Sequence, residues 1–181
     1  MQHTYIWENM SPQLVNMLGA LSLALADAQI EAVQKASGIG TAGCATLVAL
    51  GHYPNLTIRE IATIAGLSHS VIVRTVEALV GAGLITKAPG KDKREVTSHL
   101  TPEGKRLRDD LIHARESVLK KALITLSPQN QDVLHGLVSQ MLENMTTSRD
   151  QSDHLCRLCD EDACGPDCPV EMRVRGMHGD G

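Results

Sequence analysis

Apolar residues recur along the chain as helical stripes, interrupted once by a short alternating stretch. From Ser11, the positions Leu14, Leu18, Leu21, Leu25 and Ala28 fall four and three apart. That is the narrow, heptad-like seam of one helix running to about Ala36, and on a terminal helix such a seam is how a second subunit is gripped. Ser11-Pro12 supplies its cap and first turn. Gly38 and Gly40 break the pattern, and Thr41 restarts a short apolar helix through Leu50. Thr57, with Glu60 three residues on, writes a capping box for the next helix, which Gly66 ends. Ser68 then caps a helix to about Ala82. Its apolar side is Val71, Ile72, Val76, Leu79 and Val80, which leaves His69, Ser70, Val73, Arg74 and Glu77 on or near the opposite side.

After Gly83 the period changes. Leu84 to Lys87 and Arg94 to Leu100 read as two strands joined by the Gly-bearing, charged turn Ala88 to Lys93. Thr101-Pro102-Glu103 starts a long helix to about Thr125, and Ser127-Pro128 starts another. The latter carries Val133, Leu134, Leu137, Val138, Met141, Leu142 and Met145, an apolar face broader than one small domain can cover. The predicted fold class is mainly α with a small β-hairpin wing, a winged helix-turn-helix dimerised through its N- and C-terminal helices. The predicted organisation is one domain over 11–145 (motif helices and wing about 57–100), a polar linker at 146–155, a four-cysteine module at 156–172 and a flexible tail at 173–181.

Charge divides along the same boundaries. Residues 149–181 carry eight acids against four arginines, whereas residues 1–148 hold thirteen of each sign. Within the balanced part, residues 84–108 gather Lys87, Lys91, Lys93, Arg94, Lys105, Arg106 and Arg108 against Asp92, Glu95 and Glu103. A local basic patch on a neutral body suits a polyanion met by one surface. Met1 to Met10 contains no basic segment followed by an apolar run, and no stretch approaches eighteen uninterrupted apolar residues. The expectation is therefore a cytoplasmic protein without a membrane partner. No nucleophile–base motif and no phosphate-cradling glycine loop is present, so an enzyme is not expected.

The run from Leu56 to Leu107, flanked by helices on both sides, resembles the winged-helix regulators of the multiple-antibiotic-resistance regulator (MarR) family. The residues that carry the resemblance are Thr57-Ile-Arg-Glu-Ile-Ala, Gly66-Leu-Ser68 with Arg74-Thr-Val-Glu-Ala-Leu79, Gly83-Leu-Ile85, Asp92-Lys-Arg94 and Leu100-Thr-Pro-Glu-Gly104. The resemblance implies a homodimer acting on a double-stranded DNA operator, most simply as a repressor. It places the second motif helix in the major groove and Arg94, at the wing tip, in the minor groove. Ser68, His69, Ser70 and Arg74 would then face DNA, and Lys91 and Lys93 would meet phosphates, which adds affinity without sequence information. Asp92 would orient Arg94. One departure concerns ligands: Tyr5, Trp7 and Tyr53 are the whole aromatic set, too few to line a pocket for a phenolic inducer, so a small-molecule ligand is left open.

The second departure lies beyond the shared core. Cys156, Cys159, Cys164 and Cys168 form a C-x2-C-x4-C-x3-C series, and in a reducing compartment clustered thiols hold metal rather than disulfides. Four thiolates complete a tetrahedral zinc site or ligate an iron–sulfur cluster. The short C-x2-C turn points to zinc, and Cys168-Pro169 to part of a ferredoxin run, so both stand. Asp160, Glu161, Asp162, Asp167 and Glu171 surround the thiols and would repel DNA, which leaves structural support or redox and metal sensing as the module's role. His154 is expected to be a solvated linker residue, and Cys44 a small buried hydrophobe. The competing reading of the whole chain is a winged-helix protein-interaction adaptor with a structural zinc module.

Overall fold

The computed structural model describes residues 10–90 and 95–179. Helix α1 spans Pro12–Ser37, capped by the Ser11 hydroxyl, which accepts from the Leu14 N–H. Helix α2 (Thr41–His52) runs through the centre of the molecule, with every residue from Gly43 to Leu50 buried. Strand β1 (Leu56–Thr57) leads into α3 (Ile58–Ala65), where Thr57 and Glu60 form both halves of the predicted capping box. Helix α4 (His69–Gly81) follows the turn at Gly66 to Ser68. Strands β2 (Ile85–Pro89) and β3 (Val96–Leu100) make the wing. The long helix α5 (Pro102–Leu123) and α6 (Pro128–Met145) complete the part anticipated as one domain.

The core sits where α2, α3 and α4 meet the base of the wing. Leu47, Ile61, Ile72, Val76, Ile85 and Leu111 are fully buried there, and Cys44 joins them as the small apolar residue expected. Burial pushes the Cys44 thiol up from its ordinary value. Helix α5 packs along both α1 and α2. It can begin close to the wing because residue 104 is glycine: a Cβ there would stand 2.1 Å from the Leu84 carbonyl oxygen. Thr101 locks the corner, its hydroxyl donating to the Gly83 carbonyl at 2.8 Å and accepting from the Gly104 N–H.

The structure adds three details to these expectations. The sheet has three strands, in the order β1-β3-β2, all antiparallel: Ile85 pairs with Leu100, and Leu56 with Ser98. The extra strand is only two residues long, too short to show a period. The stretch expected as a linker contains helix α7 (Arg149–Leu155), capped by Ser148 and packed on α3, with Thr146 and Ser152 buried. Residues 173–179 of the segment expected as a flexible tail belong to helix α9 (Pro169–Gly179), which buries Val170 and Val174 against α6 and α7. Both were hidden because their helices are short and polar, and are stabilised by tertiary contact rather than by an apolar stripe.

The two terminal helices of the winged-helix part keep their apolar residues outside. On α1, Leu14 is 64% exposed, and Leu18 and Leu21 are also exposed; on α6, so are Val133, Leu137, Val138, Met141 and Met145. Helix α1 also contains an 18-residue stretch of mean hydropathy 1.2, long and apolar enough by length and composition to cross a membrane.

Candidate DNA-reading surface and cysteine module

Helix α4 turns Ile72, Val76 and Leu79 into the core. The helical period therefore presents Ser68, His69, Ser70 and Arg74 together on the outside, and all four are exposed. The Ser68 hydroxyl makes no capping bond to the helix; it lies 3.2 Å from the Ser70 hydroxyl. Arg74 is held along the helix by donation from its Nε to the Ser70 carbonyl, which leaves the rest of the guanidinium directed outward. Glu77, the acid on this side, is paired with Lys87 of the wing. The predicted contact residues of the second motif helix thus share one surface. Lys91, Asp92, Lys93 and Arg94 lie outside the described residues.

The cysteine module is docked on the back of the helix-turn-helix. Cys156 follows α7, Cys159 lies in the next turn, Cys164 ends a one-turn helix, α8 (Glu161–Cys164), and Cys168 immediately precedes α9. A short 3-10 turn (Gly165–Asp167) separates the last two. All four thiols line one cavity of about 290 Å³, together with Tyr53, Arg149 and Arg175. The neighbouring Cys156 thiol lowers Cys159 to about 6, with the Arg115 guanidinium, Nη2 3.9 Å from the Cys159 sulfur, adding to the effect. The neighbouring Cys159 thiol, together with burial, pushes Cys156 up. Burial also raises Cys164, as do the neighbouring thiols Cys168 and Cys159.

Besides Arg115, three residues make polar contacts that join the module to the winged helix. His154 Nδ1 donates to the Ile64 carbonyl at 3.0 Å, so the ring is not solvated as expected. Ile64 is in the last turn of α3, where carbonyls lack helical partners, and His154 caps one of them from 90 residues away in sequence. The ring sits directly over the turn of the helix-turn-helix. A Cβ on Gly66, whose φ is +65°, would stand 2.5 Å from His154 Cε1. His52, at the end of α2, donates from Nε2 to the Cys159 carbonyl at 3.0 Å and presents Nδ1 to Arg108 at 3.5 Å. Tyr53 donates to Glu161 at 2.8 Å; burial, then that carboxylate, pushes the phenol up. Sequence reasoning missed these three residues, since each acts on a partner about a hundred positions away.

Inside the module Arg149 bonds Glu171 at 2.6 Å, and Arg175 bonds it at 3.1 Å. The Arg149 bond is the main reason that the Glu171 carboxyl lies below its ordinary value. Asp153 moves the other way because it is partly buried, and Arg149 offsets only part of that.

The sequence profile of the MarR family matches residues 37–95. No curated protein matches the chain in sequence. Among solved structures, a MarR family protein from Bacillus stearothermophilus superposes with a TM-score of 0.66 at 21% identity, over 75% of this chain and 94% of that one. The YusO protein from Bacillus subtilis gives 0.62 at 20% identity, over 74% and 97%. CouR from Rhodococcus jostii RHA1, solved bound to p-coumaroyl-CoA, gives 0.55 at 23% identity, over 72% and 95%. These likenesses support the fold, and they account for nearly the whole length of each relative while leaving about a quarter of this chain unmatched.

Proposed function

We propose that this chain, whose residues 37–95 match the profile of the MarR family of winged-helix transcriptional regulators, binds operator DNA as a homodimer and represses transcription, with affinity set by a metal site in the cysteine module. The observation that carries DNA binding is the shared outward face of Ser68, His69, Ser70 and Arg74 on a helix whose opposite side, Ile72, Val76 and Leu79, is buried in the core. An α-helix fits the major groove, where side chains read base edges. Arg94 enters the neighbouring minor groove, and Lys91 and Lys93 contact phosphates.

Dimerisation is supported by the exposed apolar seam of α1 and the exposed apolar face of α6. Large unpartnered apolar surfaces are rare on monomers, and a second copy that covers both offers the two-fold arrangement that spaces two reading helices along DNA. The same seam accounts for the hydropathy of α1.

Regulation is supported by where the module docks. His154 lies two residues from Cys156 and caps α3 at the turn that aims α4. Ordering or loosening the cysteine loop would shift that cap, and with it the angle of the reading helix. The module's acidity argues that it acts through this contact rather than by touching DNA.

The test is binding to an operator selected from a random duplex pool. Arg74→Ala and Arg94→Ala should each weaken binding at least tenfold, and a neutral outcome for both would favour an adaptor that binds protein instead.

A further inference from the structure

The two helices offered to a second copy are attached to the winged helix in different ways. Helix α1 belongs to its body, because α5 packs along both α1 and α2. Helix α6 buries none of its residues, and it joins α5 through residues 124–127, where Ile124 is 80% exposed. What packs on α6 from within the chain is α9. Helix α9 in turn packs on α7, to which Arg149 ties it by donating to Glu171 at 2.6 Å, and α7 packs on α3, where His154 donates to the Ile64 carbonyl at 3.0 Å. From this unbroken run of contacts, α6 to α9 to α7 to α3, we infer that α7 and α9 are a strut that holds the dimerisation helix α6 at a fixed position against the helix-turn-helix, with Val174 as a positioning residue for operator half-site spacing. The inference rests on the homodimeric DNA reading above and names the element that sets the spacing of its two reading helices.

Two reading helices of a two-fold dimer must reach major grooves about one helical turn of DNA apart, so the distance between them is part of what the protein recognises. Each base pair added between half-sites moves one of them by about 3.4 Å along the duplex and turns it about the axis. A dimer whose α6 were attached through the exposed turn alone would follow such a shift, because the body that carries α4 could swing against the helix that grips the partner. The strut removes that freedom. Its two ends differ in chemistry: Val170 and Val174, one helical turn apart on α9, are buried, whereas the tie between α7 and α9 is an ion pair at the surface. A charge at Val174 would be buried without a partner and would drive α9 off its seat. The exposed residues of α6, among them Val138, Met141 and Met145, stay available to the second copy whether or not α9 is in place.

The experiment titrates the full chain against the selected operator and against duplexes whose half-sites are moved together or apart by one and two base pairs. The parent should bind one spacing at least about tenfold more tightly than its neighbours. Val174→Lys should remain dimeric in sedimentation and bind the operator, yet differ by less than about threefold across the spacings. Arg149→Ala cuts the tie between α7 and α9 without touching a buried apolar side chain, and should narrow the parent's discrimination by at least about threefold; it decides the matter alone if Val174→Lys fails to fold or to dimerise. Discrimination equal to the parent's in either variant, or a parent indifferent to spacing, would overturn the strut and leave the DNA reading standing. A parent that binds none of the duplexes would overturn both.

Discussion

From α2 to α5, the winged helix buries Leu47, Ile61, Ile72, Ile85 and Leu111 in one continuous core. Beyond Met145 the buried apolar side chains among the described residues are Val170 and Val174, alongside the polar Thr146 and Ser152. The first region has an apolar core of its own; the second buries few apolar side chains and rests against the surface of α3 and α6. The difference is what the proposed regulation rests on: in that proposal a part with little core of its own, placed over the turn of the helix-turn-helix, converts its own order into the geometry of its neighbour.

The comparison is broken most severely from the core side. Ile72→Ala should cost about 2–5 kcal/mol and unfold the winged helix at lower denaturant, read by urea titration. If the module carried the stability instead, that variant would unfold near the parent midpoint. From the module side, removing metal by chelation should leave the urea midpoint of the winged helix nearly intact while α7 and α9 become cleavable by protease. Simultaneous loss of both regions would mean that they form one cooperative unit.

Smaller changes sharpen the contact between the regions. Gly66→Ala forces a left-handed backbone on alanine, at about 1–2 kcal/mol, and pushes the His154 ring off the turn, so it should both destabilise the protein and weaken DNA binding. His154→Ala removes a single hydrogen bond, at about 1 kcal/mol, and hydrogen exchange should quicken in the last turn of α3 before anywhere else. The smallest effect is electrostatic. Glu171 is held below its ordinary value by Arg149, so its contribution is present above the unfolded value and is lost as pH falls through the folded one. Protection of α9 should fade on acidification, and Glu171→Gln should flatten that dependence.

Much of the winged helix was legible because its signals are local. Thr57 and Glu60, Ser11-Pro12, Thr101-Pro102 and Ser127-Pro128 each mark a helix start within four residues, and the buried side of α4 follows from its period. The candidate DNA face followed with it, as far as Arg74. The module was legible only as four cysteines and surplus acid. Helix α7 has no apolar stripe, and it is ordered by the Ser148 cap and by lying on α3; no sequence pattern ties His154 to Ile64 or His52 to Cys159. Such contacts are decided by packing between distant segments, which a reading of local periods does not reach.

The central claim, that the state of the module is felt by the reading helix, is tested most directly by titrating one operator duplex with the metal-loaded and the metal-free chain at a single salt concentration. The account predicts affinities that differ about tenfold, within the usual range of coupling between sites, and a difference that His154→Ala largely abolishes. Equal affinities for the two forms, with the module demonstrably loaded in one and empty in the other, would contradict it.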